Sequence, residues 1–260
     1  MFRHTFSRKT FNKFIESTGY RISKFKTEPP PAHPAPLETF HSYACLRHNA
    51  RRQEHLASLG LPIEGKTVLE VGAGAGDHTH FFIDRGCRVT VTEGRAENLA
   101  VLRERYPNLT VRELDMEKPQ LPGDEKFDIV YCYGLLYHVN NPAEAIEFMA
   151  KRCRGMLLME TCVSYGSDLN VNLCDEDPEN PTQAVSGKGC RPTRPWVLAE
   201  LRKHFAHAYI PRTQPWLDDF PLDWTTPTPP GLVRSVFIGS REDLKNELLS
   251  PEVPAKQWRH

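Results

Sequence analysis

The sequence predicts an α/β fold built around one mostly parallel sheet, and three observations indicate this fold. Short apolar runs alternate with amphipathic stretches across residues 67–162, which is typical of βαβ units with right-handed crossovers. The first apolar run leads directly into a turn with three glycines. Single acidic residues follow the second and third runs, at the edge where open α/β sheets bind their ligands.

The first 36 residues predict an appendage rather than a part of this fold. Residues 1–28 carry seven basic and two acidic side chains, a net charge of +5 that the other 232 residues balance with −5. Phe11, Phe14 and Ile15 share one face at helical spacing, and bases beside aromatic residues suit reversible contact with an anionic membrane surface or a partner protein. A partly disordered or domain-packing tail is the alternative. Five prolines then form a semi-rigid linker.

The elements of the main domain follow in order over residues 37–240, with residues 241–260 as a C-terminal tail. An intermittent apolar stripe over 37–59 predicts a cap helix, which Gly60-Leu61-Pro62 ends. Apolar runs predict seven strands, at 67–71, 88–92, 110–114, 127–132, 156–162, 207–210 and 232–238. Amphipathic stretches predict helices at 77–85, 95–106, 142–153 and 195–205.

Two insertions interrupt this pattern, and we expect both to form lids over the acceptor pocket. The stretch 164–192 is long for a loop in a compact domain, which is typical of lids, and its Arg191 suits an anionic acceptor. A solvated basic turn is the alternative. The stretch 211–231 contains Trp216, whose ring suits a sugar or a planar acceptor unless it only packs against the core.

Composition excludes several classes of protein. The 33 Lys and Arg residues balance 33 Asp and Glu residues, whereas a general nucleic-acid binder carries a basic excess. No stretch approaches the roughly 20 apolar residues of a membrane span. The seven cysteines form no Cys-x-x-Cys pair and the N-terminus has no signal-peptide core, so we expect neither a zinc cluster nor a disulfide framework. A cytoplasmic protein, peripheral at the inner membrane surface through residues 1–28, is the resulting expectation.

The glycine turn restricts the ligand. Glu70 precedes three alternating glycines, and Asp77 occupies the position where the dinucleotide fingerprint requires a further glycine. An acid at a helix N-terminus repels a pyrophosphate, and no phosphate-binding lysine follows the turn. The pattern therefore favours a nucleoside ligand that carries an ammonium group and no phosphate. Asp77 itself fits a helix N-cap as well as a ligand contact.

The sequence resembles the class I S-adenosylmethionine-dependent methyltransferases in three features besides their order. They are this glycine turn, the acids Glu93 and Asp115 at the next two strand ends, and the fourth strand that opens into Tyr133-Gly134. The resemblance covers residues 37–165 and, more loosely, 190–240. It implies a Rossmann-like seven-stranded sheet with an N-terminal cap helix and lid insertions. It also implies S-adenosyl-L-methionine as methyl donor and S-adenosyl-L-homocysteine as product.

The resemblance further implies roles for individual residues. Glu93 would take the ribose hydroxyls and Asp115 the adenine amino group, unless they are a solvated strand end and a turn residue. His78 would touch the ligand or face solvent. The predicted cofactor-binding residues are Glu70, Gly72, Ala73, Gly74, Gly76, His78, Glu93, Gly94, Asp115, Met116, Tyr133 and Gly134.

Transfer to a hydroxyl requires a base, and His138 is the first candidate. It lies six residues beyond the predicted end of the fourth strand, and a histidine titrates near neutral pH. Packing or shaping of the loop is its alternative role. Glu160, at the end of the fifth strand, is the rival base, with an ion-pair role as its alternative. The predicted substrate-binding residues are Tyr43, Tyr137, Arg191 and Trp216.

The acceptor is less restricted by the sequence. The segment Gly134-Leu135-Leu136-Tyr137-His138-Val139, followed by Asn141-Pro142, is similar to the tRNA wobble-uridine carboxymethyltransferases and to many small-molecule methyltransferases. We expect O-methylation of a carbohydrate or other small-molecule hydroxyl. The alternatives are a tRNA-modifying methyl or carboxymethyl transferase, which the neutral charge disfavours, and a cofactor-binding module without turnover. The acidic run 175–179 suits a solvated surface better than a metal site, so no metal is expected.

Overall fold

The computed structural model describes residues 36–227 and 231–260. The predictions made for residues 1–28, their amphipathic helical face and their membrane or partner contact, lie outside the described residues. The same holds for the proline linker up to residue 35. Within the described ranges, no helix combines the length and the hydropathy that crossing a membrane requires.

The helices and strands alternate through the first two thirds of the chain. The helices are α1 (Pro36–Phe40), α2 (Tyr43–Ser58), α3 (Thr79–Ile83), α4 (Ala96–Arg105), α5 (Pro142–Arg152) and α6 (Arg194–His204), and a 3-10 turn spans Leu136–His138. The first seven strands are β1 (Thr67–Val71), β2 (Arg88–Glu93), β3 (Thr110–Glu113), β4 (Phe127–Tyr133), β5 (Cys153–Val163), β6 (Val171–Asp175) and β7 (Lys188–Pro192). The remaining strands are β8 (His207–Pro211), β9 (Thr213–Gln214), β10 (Val233–Ser240), β11 (Leu249–Ser250) and β12 (Trp258–Arg259).

The central sheet has the order β11-β8-β10-β5-β4-β1-β2-β3. β1 to β5 pair in parallel, while β10 runs antiparallel to both β5 and β8. The α/β prediction is confirmed. The predicted strand count of seven is wrong by one, because the two-residue β11 adds an eighth strand at the edge, beside β8.

Two apolar layers hold this sheet. Successive side chains of a strand point to opposite faces, so Leu69 of β1 packs in one cluster and Val68 in the other. Residues of α5 and α6 cover the first face, and residues of α2, α3 and α4 cover the second. Burial on both faces explains why the central strands read as nearly continuous apolar runs rather than as alternating ones.

Three segments differ from the prediction in ways that shape the site. The cap helix over 37–59 is two helices, because Ser42 caps α2 by accepting a hydrogen bond from the Cys45 amide (3.4 Å). The insertion 164–192 contains a hairpin in which β6 pairs with β7. The C-terminal residues 241–260 return to the domain, since β11 pairs with β8 and β12 pairs with β9.

Candidate active site

A cavity of about 860 Å³ opens at the carboxyl ends of the central parallel strands. This is the edge where open α/β sheets bind ligands, and the volume falls in the usual range for small-molecule sites. Its walls come from the glycine turn, the ends of β2 and β4, the cap helices, and the loop 176–187 between β6 and β7. The predicted site residues among its lining are Glu70, Gly72, Ala73, Gly74, His78, Glu93, Gly94, Asp115, Met116, Tyr133, Gly134, Tyr137, His138 and Arg191.

The turn after β1 requires its glycines. Gly72, Gly74 and Gly76 have φ values of 70°, 57° and 80°, a region that side-chain-bearing residues rarely adopt. A β-carbon on Gly74 would lie 2.8 Å from the ring of Phe40 in α1. The first cap helix therefore lies directly against this turn.

Glu93 joins the end of β2 to the glycine turn. Its carboxylate accepts hydrogen bonds from the amides of Gly74 (2.8 Å), Gly94 (2.9 Å) and Arg95 (3.0 Å). The side chain is buried and lines the cavity, so it is not the solvated strand end that was the alternative to its ligand role. These three bonds hold the carboxylate in one orientation for a ligand's hydroxyl donors.

Glu70 places a second acid beneath the turn. It is only 2% exposed and accepts a hydrogen bond from Oγ1 of Thr79 (2.6 Å). Burial raises the pKa of its carboxyl to about 7, and the negative Asp77 nearby adds to the rise. Asp77 itself does not cap α3. It accepts a hydrogen bond from Nη1 of Arg105 (2.8 Å) and contacts His41 of the cap segment (3.0 Å).

The end of the cavity near β3 is covered by the loop of the β6–β7 hairpin. Asp115 accepts a hydrogen bond from the Glu117 amide (2.9 Å), which keeps its carboxylate at the cavity wall. Nη2 of Arg95 donates to the carbonyls of Pro178 (2.9 Å) and Gln183 (3.0 Å) in the hairpin loop. The loop of the insertion 164–192 therefore lies over this end of the cavity, and its action as a lid over the acceptor stays a prediction.

Two buried oxygens in the described part of the cavity wall have no hydrogen-bond partner. They are Oη of Tyr133, at the end of β4, and Oδ1 of Asn98, in α4. A buried polar atom without a partner costs free energy, so both are suited to meet a polar ligand. Asn98, whose Nδ2 donates to Pro181 of the hairpin loop, lies with Glu93 and Asp115 at the end of the cavity that fits a nucleoside. Tyr133 lies near the charges of Glu160 and Arg52.

The opposite end of the cavity rests on a buried charge cluster. Glu160 is fully buried, and its two oxygens accept hydrogen bonds from Nη1 of Arg52 (2.7 Å) and Nη1 of Arg234 (3.0 Å). Burial alone would raise the pKa of Glu160, but the guanidinium groups of Arg234 and Arg52 outweigh it and hold this pKa at about 2. The geometry contradicts the prediction that Glu160 is a base. Its carboxylate is paired with two arginines and has a low pKa, so it does not accept a proton near neutral pH.

His138 lies at the same end, on the turn after β4. Its Nδ1 forms a hydrogen bond with Oε2 of Glu176 in the hairpin loop, and Nη2 of Arg191 is 3.1 Å from Oε1 of the same carboxylate. Arg191 also donates to the carbonyl of Tyr137 (3.0 Å). Burial lowers the pKa of His138, although Glu176 opposes this effect. The role of His138 as a base stays a prediction.

Two predicted substrate contacts, those of Tyr43 and Trp216, are wrong. Tyr43 is 82% exposed, because it points away from the face of α2 that lines the cavity. Trp216 is 53% exposed and lies outside the cavity lining, since its indole donates to the carbonyl of His260 (3.0 Å). His78 lines the cavity, and its solvent-facing alternative is excluded because the ring is buried and contacts Tyr131 and Asn49.

Sequence reasoning missed a further group of residues on α2. His48 and Arg52, four positions apart, both line the cavity. Nε2 of His48 is 2.8 Å from Oδ2 of Asp219, a residue 171 positions away. The spacing of His48 and Arg52 places two polar side chains on one helix face, and this was the signal available in the sequence.

Residues 68–156 match the protein family described as "Methyltransferase domain". Over these residues, about a third of the chain, the protein is similar to methyltransferase domains. The match spans β1 through the start of β5, which includes the glycine turn and both acidic strand ends. Within the described residues of the chain, no group of three or more His, Cys, Asp or Glu side chains is arranged to hold a metal ion.

Curated relatives of this methyltransferase domain carry the name tRNA U34 carboxymethyltransferase. The protein of that name from Helicobacter pylori (strain G27) is 26% identical over 122 residues, which are 44% of this chain and 46% of the relative. The one from Syntrophotalea carbinolica is 30% identical over 145 residues, which are 49% of this chain and 40% of the relative. The chain thus spans less than half the length of these relatives.

Solved methyltransferase structures share the fold over a larger part of the chain. The N-terminal domain of EvdMO1, crystallised in the presence of SAH and D-fucose, has a TM-score of 0.58 and 20% identity, covering 92% of this chain and 99% of that one. An S-adenosylmethionine-dependent methyltransferase from Mesorhizobium loti has a TM-score of 0.53 and 17% identity, covering 75% and 100%. At these identities the similarity establishes the fold alone.

Proposed function

We propose that this protein is an S-adenosylmethionine-dependent methyltransferase that methylates a hydroxyl group on a carbohydrate or another small polar molecule. One observation carries the proposal. A single cavity joins a nucleoside-compatible end, formed by the glycine turn, Glu93 and Asp115, to a polar end formed by histidine–carboxylate pairs and arginines. Such an arrangement holds a donor and an acceptor in contact while it excludes water.

The residues at the first end supply the binding groups that this donor requires. Glu93 would accept from the ribose hydroxyls, Asp115 from the adenine amino group, and the buried Glu70 would stabilise the positive charge of the donor. When bound, S-adenosylmethionine supplies a methyl group activated by a sulfonium. Phe40 of α1 packs against the glycine turn at this end.

Support for a hydroxyl-bearing acceptor comes from the residues at the second end. His48, Asn49, Asp219, Arg234 and His138 all line it and offer both donors and acceptors of hydrogen bonds. A polyhydroxylated molecule matches so many converging polar groups better than an apolar one does. The crystallisation of the EvdMO1 domain with D-fucose supports sugars as the first acceptors to test.

Calorimetry on the full chain tests the donor site. We expect S-adenosylmethionine and S-adenosylhomocysteine to bind, and Glu93→Gln to weaken both by about 10- to 100-fold through the loss of charge-assisted hydrogen bonds. Glu97→Gln is the matched control, because this exposed side chain on α4 forms only a surface ion pair with Arg95. Absence of binding by the unaltered protein at about 1 mM ligand would refute the proposal.

Methyl transfer is tested with S-adenosylmethionine labelled in the methyl group and a panel of free and glycosylated deoxyhexoses that begins with D-fucose. We expect label in a sugar product whose methyl group mass spectrometry places on oxygen. Donor binding without transfer to any sugar, lipid-linked sugar or tRNA would favour the cofactor-binding module without turnover.

A tRNA acceptor is the second candidate, because the curated relatives in the comparison carry that name. It is tested in parallel with bulk tRNA and analysis of the digested nucleosides. Since phosphate contacts dominate nucleic-acid affinity, tRNA binding should fall steeply as the salt concentration rises, whereas sugar methylation should not. Nucleoside labelling without sugar labelling would replace the carbohydrate proposal with this one.

We also infer a cytoplasmic location with reversible contact at the inner membrane surface through residues 1–28. The support is the net charge of +5 in that segment, which is interleaved with aromatic side chains.

A further inference from the structure

A histidine–carboxylate pair that sequence reasoning did not select lies in the cavity. Nε2 of His48 on α2 is 2.8 Å from Oδ2 of Asp219, in the segment between β9 and β10. Because a carboxylate only accepts hydrogen bonds, Nε2 carries the proton and Nδ1 keeps its lone pair. Nδ1 makes no hydrogen bond to any residue that the structure describes. The pair is therefore oriented, and one nitrogen remains available to a ligand.

The position of His48 joins the two ends of the cavity. Its neighbour Asn49 contacts the donor end, where Oδ1 is 3.1 Å from Nε2 of His78 and Nδ2 donates to Asp77 (3.4 Å). On the other side, Nε of Arg234 is 3.1 Å from the Asp219 carboxylate that holds His48. A group at this junction lies where the donor methyl and the acceptor oxygen have to meet.

Burial and two neighbouring guanidinium groups favour the neutral form of the His48 ring. Burial lowers the pKa of His48, Asp219 opposes this effect, and the guanidinium groups of Arg52 on the same helix and Arg234 on β10 lower the pKa further. Glu160 on β5 raises it again, and the buried His78 lies close enough to His48 for the two rings to interact electrostatically. A neutral imidazole at neutral pH is the form that accepts a proton.

His138 differs from His48 in the contacts of its carboxylate partner. Its partner Glu176 also accepts from the Ala184 amide (2.8 Å) and pairs with Arg191 (3.1 Å). The ring centroid of His138 lies 3.9 Å from that of Tyr137. These contacts connect the turn after β4 to the hairpin loop, which suits a positioning role that shapes the cavity wall.

We propose that His48, oriented by Asp219, is the base that takes the proton from the acceptor hydroxyl, an assignment that rests on the proposed function. The hydroxyl proton moves to Nδ1 while the acceptor oxygen forms a bond to the methyl carbon. The bond between this carbon and sulfur breaks, and its electron pair stays on sulfur. Positive charge thus passes from the sulfonium to the imidazolium, which the Asp219 carboxylate stabilises. The proton then leaves to solvent.

Kinetics on the full chain form the first arm of the test. We expect His48→Asn to lower labelled methyl transfer to sugar by at least about 100-fold, the usual contribution of a positioned base, with donor affinity unchanged. Asp219→Asn should move the acidic limb of the kcat profile to lower pH, because it removes the charge that raises the pKa of His48. His80→Asn, on an exposed histidine of α3, is the control. Retention of more than about a third of kcat by His48→Asn would overturn the assignment.

Imidazole NMR forms the second arm and needs no acceptor. The full chain is labelled with ¹⁵N-histidine, titrated between about pH 5 and 9, and assigned by the signals that His48→Asn removes. We expect the proton of the neutral ring on Nε2 and a pKa below 6.5. A neutral ring with its proton on Nδ1, or a ring still charged at about pH 8, would overturn the assignment.

The two arms separate this inference from the proposed function. If the unaltered protein fails to bind S-adenosylmethionine, the proposed function fails, and with it the catalytic role of His48. If it binds the donor and methylates a sugar while His48→Asn retains activity, only the assignment of the base fails.

Discussion

Glu160 on β5 and Arg52 on α2 form a buried ion pair, with Nη1 of the arginine 2.7 Å from Oε2 of the carboxylate. Arg234 on β10 pairs with the other oxygen at 3.0 Å. The second cap helix is thereby connected electrostatically to two central strands, directly below the polar end of the cavity. Arg52 depends on this carboxylate for its charge compensation, whereas Arg234 is also paired with Asp219 at 3.1 Å.

Replacing Glu160 should therefore destabilise the fold. In Glu160→Gln the buried Arg52 loses its counter-charge and Arg234 keeps only Asp219, and we expect the free energy of unfolding to fall by about 3–5 kcal/mol in urea titrations. Glu54→Gln, which breaks the exposed pair with Arg51 on the same helix, should cost less than about 1 kcal/mol. Equal losses in the two variants would contradict the role assigned to the buried cluster.

The contact between Gly74 and Phe40 predicts a steric effect. Gly74→Ala forces a side chain into φ 57°, which costs about 1–2 kcal/mol, and drives its β-carbon against the Phe40 ring at a further cost of about 1–3 kcal/mol. Gly86→Ala is the matched control, because Gly86 has φ 68° and nothing within 4 Å of its β-carbon position. Phe40→Ala in the Gly74→Ala background should recover the steric part, and a failure to recover it would show that α1 does not press on the turn.

The buried carboxyl of Glu70 predicts a pH dependence of stability. Its pKa is raised from 4.5 to about 7 in the folded protein, so the folded state binds more protons than the unfolded state between these values. Stability should then fall as the pH rises through this window, by up to about 3 kcal/mol from this group. The buried histidines also change the free energy of unfolding with pH. The contribution of Glu70 is therefore measured as the difference between the pH profiles of the unmodified protein and of Glu70→Gln. Parallel pH profiles for the two proteins would contradict it.

The basic front segment predicts a separable function. A chain without residues 1–28 should keep its affinity for S-adenosylmethionine within about twofold and lose its sedimentation with anionic phospholipid vesicles. Binding of the full chain should weaken as salt rises, because screening shortens the reach of the basic side chains. Neutral vesicles serve as the control. A large loss of donor affinity on deletion would show that the segment belongs to the donor site.

The donor end was predictable because its signals are local. Alternating apolar and amphipathic stretches specify βαβ units, and the glycines of the turn are needed for backbone angles that other residues avoid. Glu93 and Asp115 follow their strands directly in sequence, so knowledge of a parallel sheet places both at one edge. The failures at this level were small. A serine cap divided one expected helix, and a polar stretch formed a hairpin instead of a loop.

The sequence alone determined the α/β fold, the glycine turn and the acids that line one end of the cavity, since neighbours in the chain carry that information. The roles of the residues at the polar end of the cavity were decided only by the tertiary structure. His48 meets Asp219 across 171 residues, and Glu160 changes from a candidate base to an ion-pair partner because Arg52 and Arg234 reach it from distant elements. Tyr43 and Trp216 lost their predicted roles for the same reason. The direction a side chain faces and the charges around it depend on packing between elements, which no local pattern encodes.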